Sequence, residues 1–255
     1  MEFNIRKGIG LFLIICLFPI LVWGQKNDYQ KWNLKGKIKS IKESTFSVKE
    51  VNGEFEKDSV EFYYINEFND FGNKIVDTKF GSNGKIDKNY IYKYDKENRR
   101  IEEGQYLGNG KLLRTIYYKY DKLGNLIEDF SLKADGKTDK TIKYLYDNQG
   151  NVKQDSSFNG EGKLLKIFAY KYDKIGNKLT TEKFNAGGIL EKRISCKYDG
   201  NNNLIEELSE KAESKDLNKV LCQYEFDSKN NWIKKIITSE GKITLILERE
   251  IVYFN

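Results

Sequence analysis

From residue 68 onward an aromatic followed by Asp or Asn returns at a fixed interval: Phe68, Tyr94, Tyr120, Tyr146, Tyr172, Tyr198, Phe226 and Phe254. The first five spacings are 26 residues and the last two are 28. A constant period of this length marks a repeat architecture, in which each unit buries its faces against its neighbours. It therefore constrains the fold more than any local propensity. Each unit holds two turn signals. One follows the aromatic, as in DKLGN (121–125), DNQGN (147–151) and DKIGN (173–177), and makes Asp121, Gly124, Asn125, Asp147, Gly150, Asn151, Asp173, Gly176 and Asn177 the turn residues. The other is Gly-rich, as in SNGK (82–85), GNGK (108–111), ADGK (134–137) and GEGK (160–163). Asp and Asn bond to nearby backbone and Gly accepts positive φ, so Asp closes the first turn and Gly-Asn is expected to carry its left-handed positions. Two turns per unit leave about ten residues each way, enough for two antiparallel strands.

Alternation supports strands. Tyr90, Tyr92 and Tyr94 share one face; Ile116, Tyr118, Tyr120 and Ile142, Tyr144, Tyr146 repeat the pattern. Phe168, Tyr170, Tyr172 and Ile194, Cys196, Tyr198 continue it. Lys93, Lys119, Leu145, Lys171 and Lys197 occupy the opposite face. Tyr94, Tyr120, Tyr146, Tyr172, Tyr198 and Phe226 are the expected ladder residues, ring packing on ring from unit to unit. On the returning strand the Ile75, Ile101, Ile127 series and the Phe80, Tyr106, Leu132 series lie five residues apart, an odd step that calls for a bulge or for side chains on both faces. The only proline of the chain is Pro19, so nothing after it removes a ladder donor. The reading is all-β: an antiparallel meander of ~26-residue hairpins forming one long twisted sheet, about 16 strands, curled into a half-pipe, spiral or barrel with the aromatic face inward.

The copies YKYDKENR, YKYDKLGN, YLYDNQGN, YKYDKIGN and CKYDGNNN, each followed by a Gly-containing turn, resemble the YD-repeat, or RHS-type repeat, of exported bacterial proteins. The resemblance covers about residues 62–255 and implies a β-hairpin array. Large members of that family resemble cocoons enclosing a toxic C-terminal domain, whereas this chain has about eight copies and is expected to carry no such cargo. Shorter members look like free-standing envelope proteins, and this chain resembles those.

Residues 32–64 are less regular and read as a capping hairpin led by Trp32, so the domains are a signal peptide (1–24), capping strands (25–61) and the repeat domain (62–255). In the signal peptide, Arg6 and Lys7 form the basic region, Ile9 to Val22 the apolar region, and Val22 and Gly24 the small residues before cleavage at Gln25. Cys16 follows Ile15, a poor lipidation context. Cys196 and Cys222 fall in equivalent strands of adjacent units with one strand between them, roughly 9–10 Å apart. That is too far for a disulfide, and two free thiols are expected.

The chain has no histidine, which removes the usual base at neutral pH and the commonest nitrogen ligand for transition metals. Charges are dense but nearly balanced, with a formal net of +6, and Lys, Asp and Glu are interleaved, so nucleic acid is not an expected partner. Adjacent acids such as Glu102-Glu103, Glu128-Asp129 and Glu206-Glu207 point to opposite faces of a strand and do not converge as a glycosidase pair. Each Asp-x-x-Gly-Asn turn offers one carboxylate, less than a calcium loop needs. No catalytic, cofactor or metal residue is assigned. A membrane barrel is disfavoured by short loops, a mean hydropathy of −0.67 and a charged row at Lys88, Arg114, Lys140, Lys166 and Lys192 on the apolar face, which would interrupt a lipid-facing band. The expected function is non-enzymatic: an exported, periplasmic or secreted protein of a Gram-negative bacterium that binds a cell-envelope glycan or protein, with Tyr117, Lys119, Lys171 and Lys197 as the partner surface. A periplasmic immunity or accessory protein of a toxin system and a purely structural envelope component are the alternatives.

Overall fold

The computed structural model describes residues 26–254. The expected signal peptide and Cys16 lie outside these residues. A one-turn helix, α1 (Asp28–Lys31), precedes sixteen strands. They are β1 (Ile38–Val51), β2 (Glu54–Phe68), β3 (Lys74–Gly81), β4 (Ile86–Tyr94), β5 (Arg100–Leu107), β6 (Leu112–Tyr120), β7 (Leu126–Lys133) and β8 (Thr138–Tyr146). The second half is β9 (Val152–Asn159), β10 (Leu164–Tyr172), β11 (Lys178–Asn185), β12 (Leu190–Tyr198), β13 (Leu204–Lys211), β14 (Leu217–Phe226), β15 (Trp232–Ser239) and β16 (Lys242–Tyr253). Every strand pairs antiparallel with its neighbours in sequence, and β1 also pairs with β16 from Ile38↔Tyr253 to Phe46↔Ile246. Of the three curled forms compatible with the sequence, the closed barrel is the one formed.

Closure corrects the expected capping hairpin. β1 does not cover an edge; it joins the two edges, bonding β2 on one side and β16 on the other. A long sheet edge exposes a row of unpaired N–H and C=O groups, and the cheapest way to satisfy both edges is to pair them with each other. The boundary drawn at residues 61 and 62 falls inside β2.

The odd step in the returning strands is a bulge. Lys93 pairs with Glu102 but Tyr94 pairs with Arg100, leaving Ile101 as the extra residue, and the same shift recurs at Tyr120, Tyr146, Tyr172 and beyond. A second bulge recurs at the opposite end of each hairpin, where Lys79 pairs with Lys88 and Phe80 with Ile86. Bulges bend a strand and raise its local twist, which lets strands of eight or nine residues wrap into a tube. The faces are unambiguous. Side chains of Asp77, Arg100 and Glu103 are 8, 18 and 12% exposed, whereas those of Lys93, Lys119 and Lys197 are 63, 57 and 70% exposed. The tyrosine face therefore turns inward and the Lys93 row outward.

Turn chemistry departs from expectation at one residue. In the Asp121 turn, Oδ1 accepts the N–H groups of Leu123 and Asn125 at 2.9 Å each, and Oδ2 accepts the Asn125 side-chain amide at 3.0 Å. Only Gly124 is left-handed, at φ 84°. Asn125, like Asn151 and Asn177, does not share that conformation and serves as a side-chain donor to its aspartate. Where Gly is missing from the sequence, Asn98, Asn202 and Asn230 take the left-handed position instead, as the short amide side chain permits.

The ladder tyrosines are also tied by their hydroxyls. Tyr94, Tyr120, Tyr146, Tyr172 and Tyr198 donate their hydroxyls to the carbonyls of Lys74, Arg100, Leu126, Val152 and Lys178, at 2.5 to 3.0 Å. Each bond ties a hairpin to the one before it. In β14, Phe226 keeps the register position of Tyr198, but the hydroxyl donor is Tyr224, to Leu204 O at 2.7 Å. Phe226 has no hydroxyl, and the residue two positions earlier lies on the same face. Cys196 and Cys222 are both free, on β12 and β14 with β13 between them.

The two turn contributions are separable. Gly124→Ala, whose new methyl meets no atom within 4 Å, is expected to cost about 1–2 kcal/mol through backbone strain alone. Asp121→Ala is expected to cost a similar ~1–2 kcal/mol through three lost hydrogen bonds. Urea unfolding of each variant measures both, and Tyr224→Phe against Phe226→Leu tests the ladder assignment by the same readout.

Candidate functional site in the lumen

A round barrel of sixteen strands at ordinary spacing and tilt is roughly 30 Å across, too wide for side chains to fill. Among the described residues only Leu34, Ile38, Ile41, Phe68, Cys222 and Ile246 are buried hydrophobics. Four of them, Leu34, Ile38, Ile41 and Phe68, form a small cluster with Tyr29, Trp32, Ile251 and Tyr253 beside them. The apolar core is thus confined to the seam, where it anchors the segment before β1.

That segment lies over the mouth formed by the Asp turns. Asn27 caps α1 and reaches the first turn of that series, which Asn69 closes, its amide donating to Phe71 O at 2.8 Å. The Asp28 carboxylate accepts Lys74 N and the Arg100 guanidinium, each at 2.9 Å. Trp32 packs on Phe68 and carries Lys74 Nζ 3.7 Å from its ring centroid. Further on, Asn33 donates to Asn201 O at 2.7 Å. Lys35 and Asn231 exchange two hydrogen bonds of 2.8 Å. Arg249 sits over Trp232, its guanidinium carbon 3.5 Å from the ring centroid, and pairs with Glu43 at 2.8 Å. The segment is stitched to turns spread around the rim and forms a partial cap.

Under the cap, against β8 to β11, lies a cavity of about 470 Å³, within the usual range for a small-molecule site. Its wall includes Tyr144, Tyr146, Tyr170, Tyr172, Asp155 and Lys178, with Lys26 and Lys31 contributed by the cap. All four tyrosine hydroxyls are already committed. Tyr146 and Tyr172 bond to backbone carbonyls as described, while Tyr144 donates to Asp129 and Tyr170 to Asp155. The same inner ladder holds Tyr92 on Asp77 at 2.7 Å and Tyr118 on Glu103 at 2.8 Å. Rings pinned in this way present fixed π-faces to whatever enters. Lys178 Nζ lies 3.9 Å from the Tyr170 ring centroid. Burial lowers its pKa, with Asp155 opposing the shift.

The electrostatics divide by depth. Burial raises the pKa of Asp129, against the Tyr144 hydroxyl and the Lys140 charge that lower it. Burial likewise raises Asp77 despite its ion pair with Lys74. Burial pushes Tyr172 up to about 12, with Asp147 adding to the shift. At the rim the sign reverses: the Asn125 side-chain amide, with backbone N–H groups behind it, holds Asp121 below the ordinary aspartate value.

The residues expected to face a partner lie outside. Lys119 pairs with Glu128 at 2.6 Å and Lys197 with Glu206 at 2.8 Å. Tyr117 stacks on Phe130 with ring centroids 5.4 Å apart, and Lys171 is exposed on the same face. None of the four reaches the lumen. The charged row of Lys88, Arg114, Lys140, Lys166 and Lys192 stands on the Tyr92 face and so lines the lumen, as an inward aromatic face requires. The outer wall has a charged row of its own, including Lys93–Glu102, Lys119–Glu128 and Lys197–Glu206–Lys219. Neighbouring carboxylates diverge as expected: Glu102 pairs outward with Lys93 while Glu103 turns inward to Tyr118. The inner acids were a missed signal, since Asp77, Glu103, Asp129 and Asp155 recur at the 26-residue period, each 15 residues before its tyrosine. No group of acids and cysteines that could hold a metal ion occurs among the described residues, and no helix among them is long and apolar enough to cross a membrane.

No family model matches the chain, and no curated protein matches it. Solved structures do. A porin-like protein from Bacteroides uniformis aligns with a TM-score of 0.58 at 10% identity, covering 86% of this chain and 98% of that one. A porin-like protein from Bacteroides vulgatus aligns at 0.47 and 12% identity, over 85 and 98% of the two chains. The Tc holotoxin pore of Photorhabdus luminescens matches 76% of this chain at 12% identity, with a TM-score of 0.34 over 13% of its own length. The first of these places the chain among β-barrels of similar size and closure.

A buried carboxylate with a raised pKa weakens the fold where the unfolded chain would be ionised, and the penalty vanishes once pH falls below both values. Asp129→Asn keeps an acceptor for Tyr144 and removes that charge. Its stability is expected to equal or exceed the parent's at pH 7, with the difference shrinking as pH approaches 4. Thermal unfolding from pH 4 to 8 measures this.

Proposed function

We propose that the protein is an exported, non-enzymatic binding protein of the cell envelope that takes a glycan segment into its lumen against the inner tyrosine wall. The observation that carries this is the cavity under the cap, where four fixed tyrosine rings stand beside Asp155 and Lys178. Sugar rings offer apolar C–H faces for aromatic stacking and hydroxyls for charged and amide groups, and this wall supplies both. The outer charged row favours a barrel that stands in water, because a lipid-facing band has no place for ion pairs around its wall. The YD-like turn motif and the basic-then-apolar N-terminus support export across an envelope. Absence of histidine and divergence of the neighbouring carboxylates favour binding over catalysis.

A second reading rests on the outer face. Beside the Tyr117–Phe130 stack lies a groove of about 360 Å³ lined by Lys119, Glu128, Phe130, Lys143 and Phe158. Mixed aromatic and charged lining of this kind suits a protein partner, as an immunity or accessory protein would need.

The exported protein, passed over immobilised envelope polysaccharide, is expected to be retained, and Tyr146→Leu/Tyr172→Leu to weaken retention at least ~10-fold by loss of stacking while circular dichroism stays unchanged. Retention unaffected by the double substitution overturns the lumen site. Stoichiometric capture of a protein, abolished by Tyr117→Ala/Lys119→Ala and with no glycan retained, favours the outer face.

A further inference from the structure

The far end of the lumen, away from the cap, carries a collar of basic side chains that the strand register sets directly against one another. Lys79 lies opposite Lys88, Arg114 opposite Lys133, Lys183 opposite Lys192, and Lys192 opposite Lys211. Lys140 and Lys166 continue the series between them, opposite Asn159 and Asn185. Like charges facing each other across strands destabilise a sheet, so a collar repeated through successive hairpins needs a counter-charge.

The protein supplies only part of it. Asp87 pairs with Lys79 at 2.9 Å, Asp139 with Arg114 at 3.0 Å and with Lys133 at 4.0 Å, Glu191 with Lys183 at 2.7 Å, and Asp216 with Lys211 at 3.9 Å. Nine basic residues thus meet four acids. Among the described residues Lys88, Lys140 and Lys192 form no ion pair, although each is half-buried. Two further groups at the same level have no partner among the described residues. Arg114 Nε is buried without an acceptor, and the Ser157 hydroxyl is buried without a hydrogen bond, on a residue only 1% exposed. Ser157 lies directly opposite Lys166 in the register. Unsatisfied donors beside an uncompensated positive arc are the complement of anionic oxygens.

We propose that this collar binds an acidic glycan, a chain carrying carboxylate groups along its length, which enters the lumen at this end and continues toward the tyrosine wall. The arc runs from β3 to β13, so it suits charges distributed along a chain better than one compact ion. Lys88, Lys140 and Lys192 make the principal charge contacts, with Arg114 and Ser157 donating alongside. The inference rests on the glycan reading above and adds the charge of the ligand.

The test uses the exported protein with three probes: a polygalacturonate oligomer, the same oligomer methyl-esterified to neutrality, and tripolyphosphate. Isothermal titration is expected to show the acidic oligomer binding at least ~10-fold more tightly than the neutral one, with affinity falling as salt rises. Lys88→Gln/Lys140→Gln/Lys192→Gln is expected to remove that preference, leave the neutral oligomer unchanged, and melt no lower than the parent, because no native ion pair is lost. Equal affinity for the two oligomers, or a preference that survives the triple substitution, overturns the collar and leaves the lumen site standing. Binding of tripolyphosphate with both oligomers excluded overturns the acidic glycan. Failure of all three probes, together with failure of Tyr146→Leu/Tyr172→Leu to change polysaccharide retention, counts against the glycan reading itself.

Discussion

A sheet of this length has two edges, and each edge is a row of unsatisfied backbone groups. The hydrogen bonds between β1 and β16 remove both at once, and every other feature of the molecule follows from that pairing. Closure converts the two faces of a meander into an inside and an outside. It turns one tyrosine row into a lumen lining and one lysine row into a solvent-facing wall. It also brings turns from distant hairpins to a common rim, where a short N-terminal segment can bond to several of them.

Within the barrel, order is passed from hairpin to hairpin by two tyrosine ladders with different partners. The row from Tyr94 to Tyr198 donates to backbone carbonyls of the preceding hairpin, and the row from Tyr92 to Tyr170 donates to inward carboxylates. A backbone acceptor is always present, so the first ladder tolerates any residue at the acceptor position, and Arg100, Leu126 and Val152 all serve. A carboxylate acceptor must be encoded. The second ladder therefore lapses in β12, where Cys196 replaces the tyrosine and Thr181 stands at the acid position.

This arrangement leaves the molecule with little apolar core and a polar interior graded along its axis. Tyrosine–carboxylate pairs occupy the depth nearest the cap, and facing basic residues outnumber acids at the far end. Such an interior does not maximise packing, since buried acids with raised pKa values and facing lysines both oppose folding.

The strand count, the two turns of each unit, the need for a bulge and the separation of the two cysteines were legible in the sequence. Each follows from local chemistry: Gly and Asp in turns, side-chain alternation along a strand, and a fixed spacing between strands. Even the inner acids were written there, at a constant offset from their tyrosines. Closure was not legible, because a half-pipe and a barrel share every local feature and differ only in whether β1 meets β16. The role of residues 26–37 was therefore open. The hydroxyl of Tyr224 standing in for Phe226 was hidden for a related reason, since the choice between two residues on one face depends on where the neighbouring hairpin places its carbonyl. Local propensity sets which groups share a face; only the long-range pairing of the chain's two ends sets which face becomes the inside.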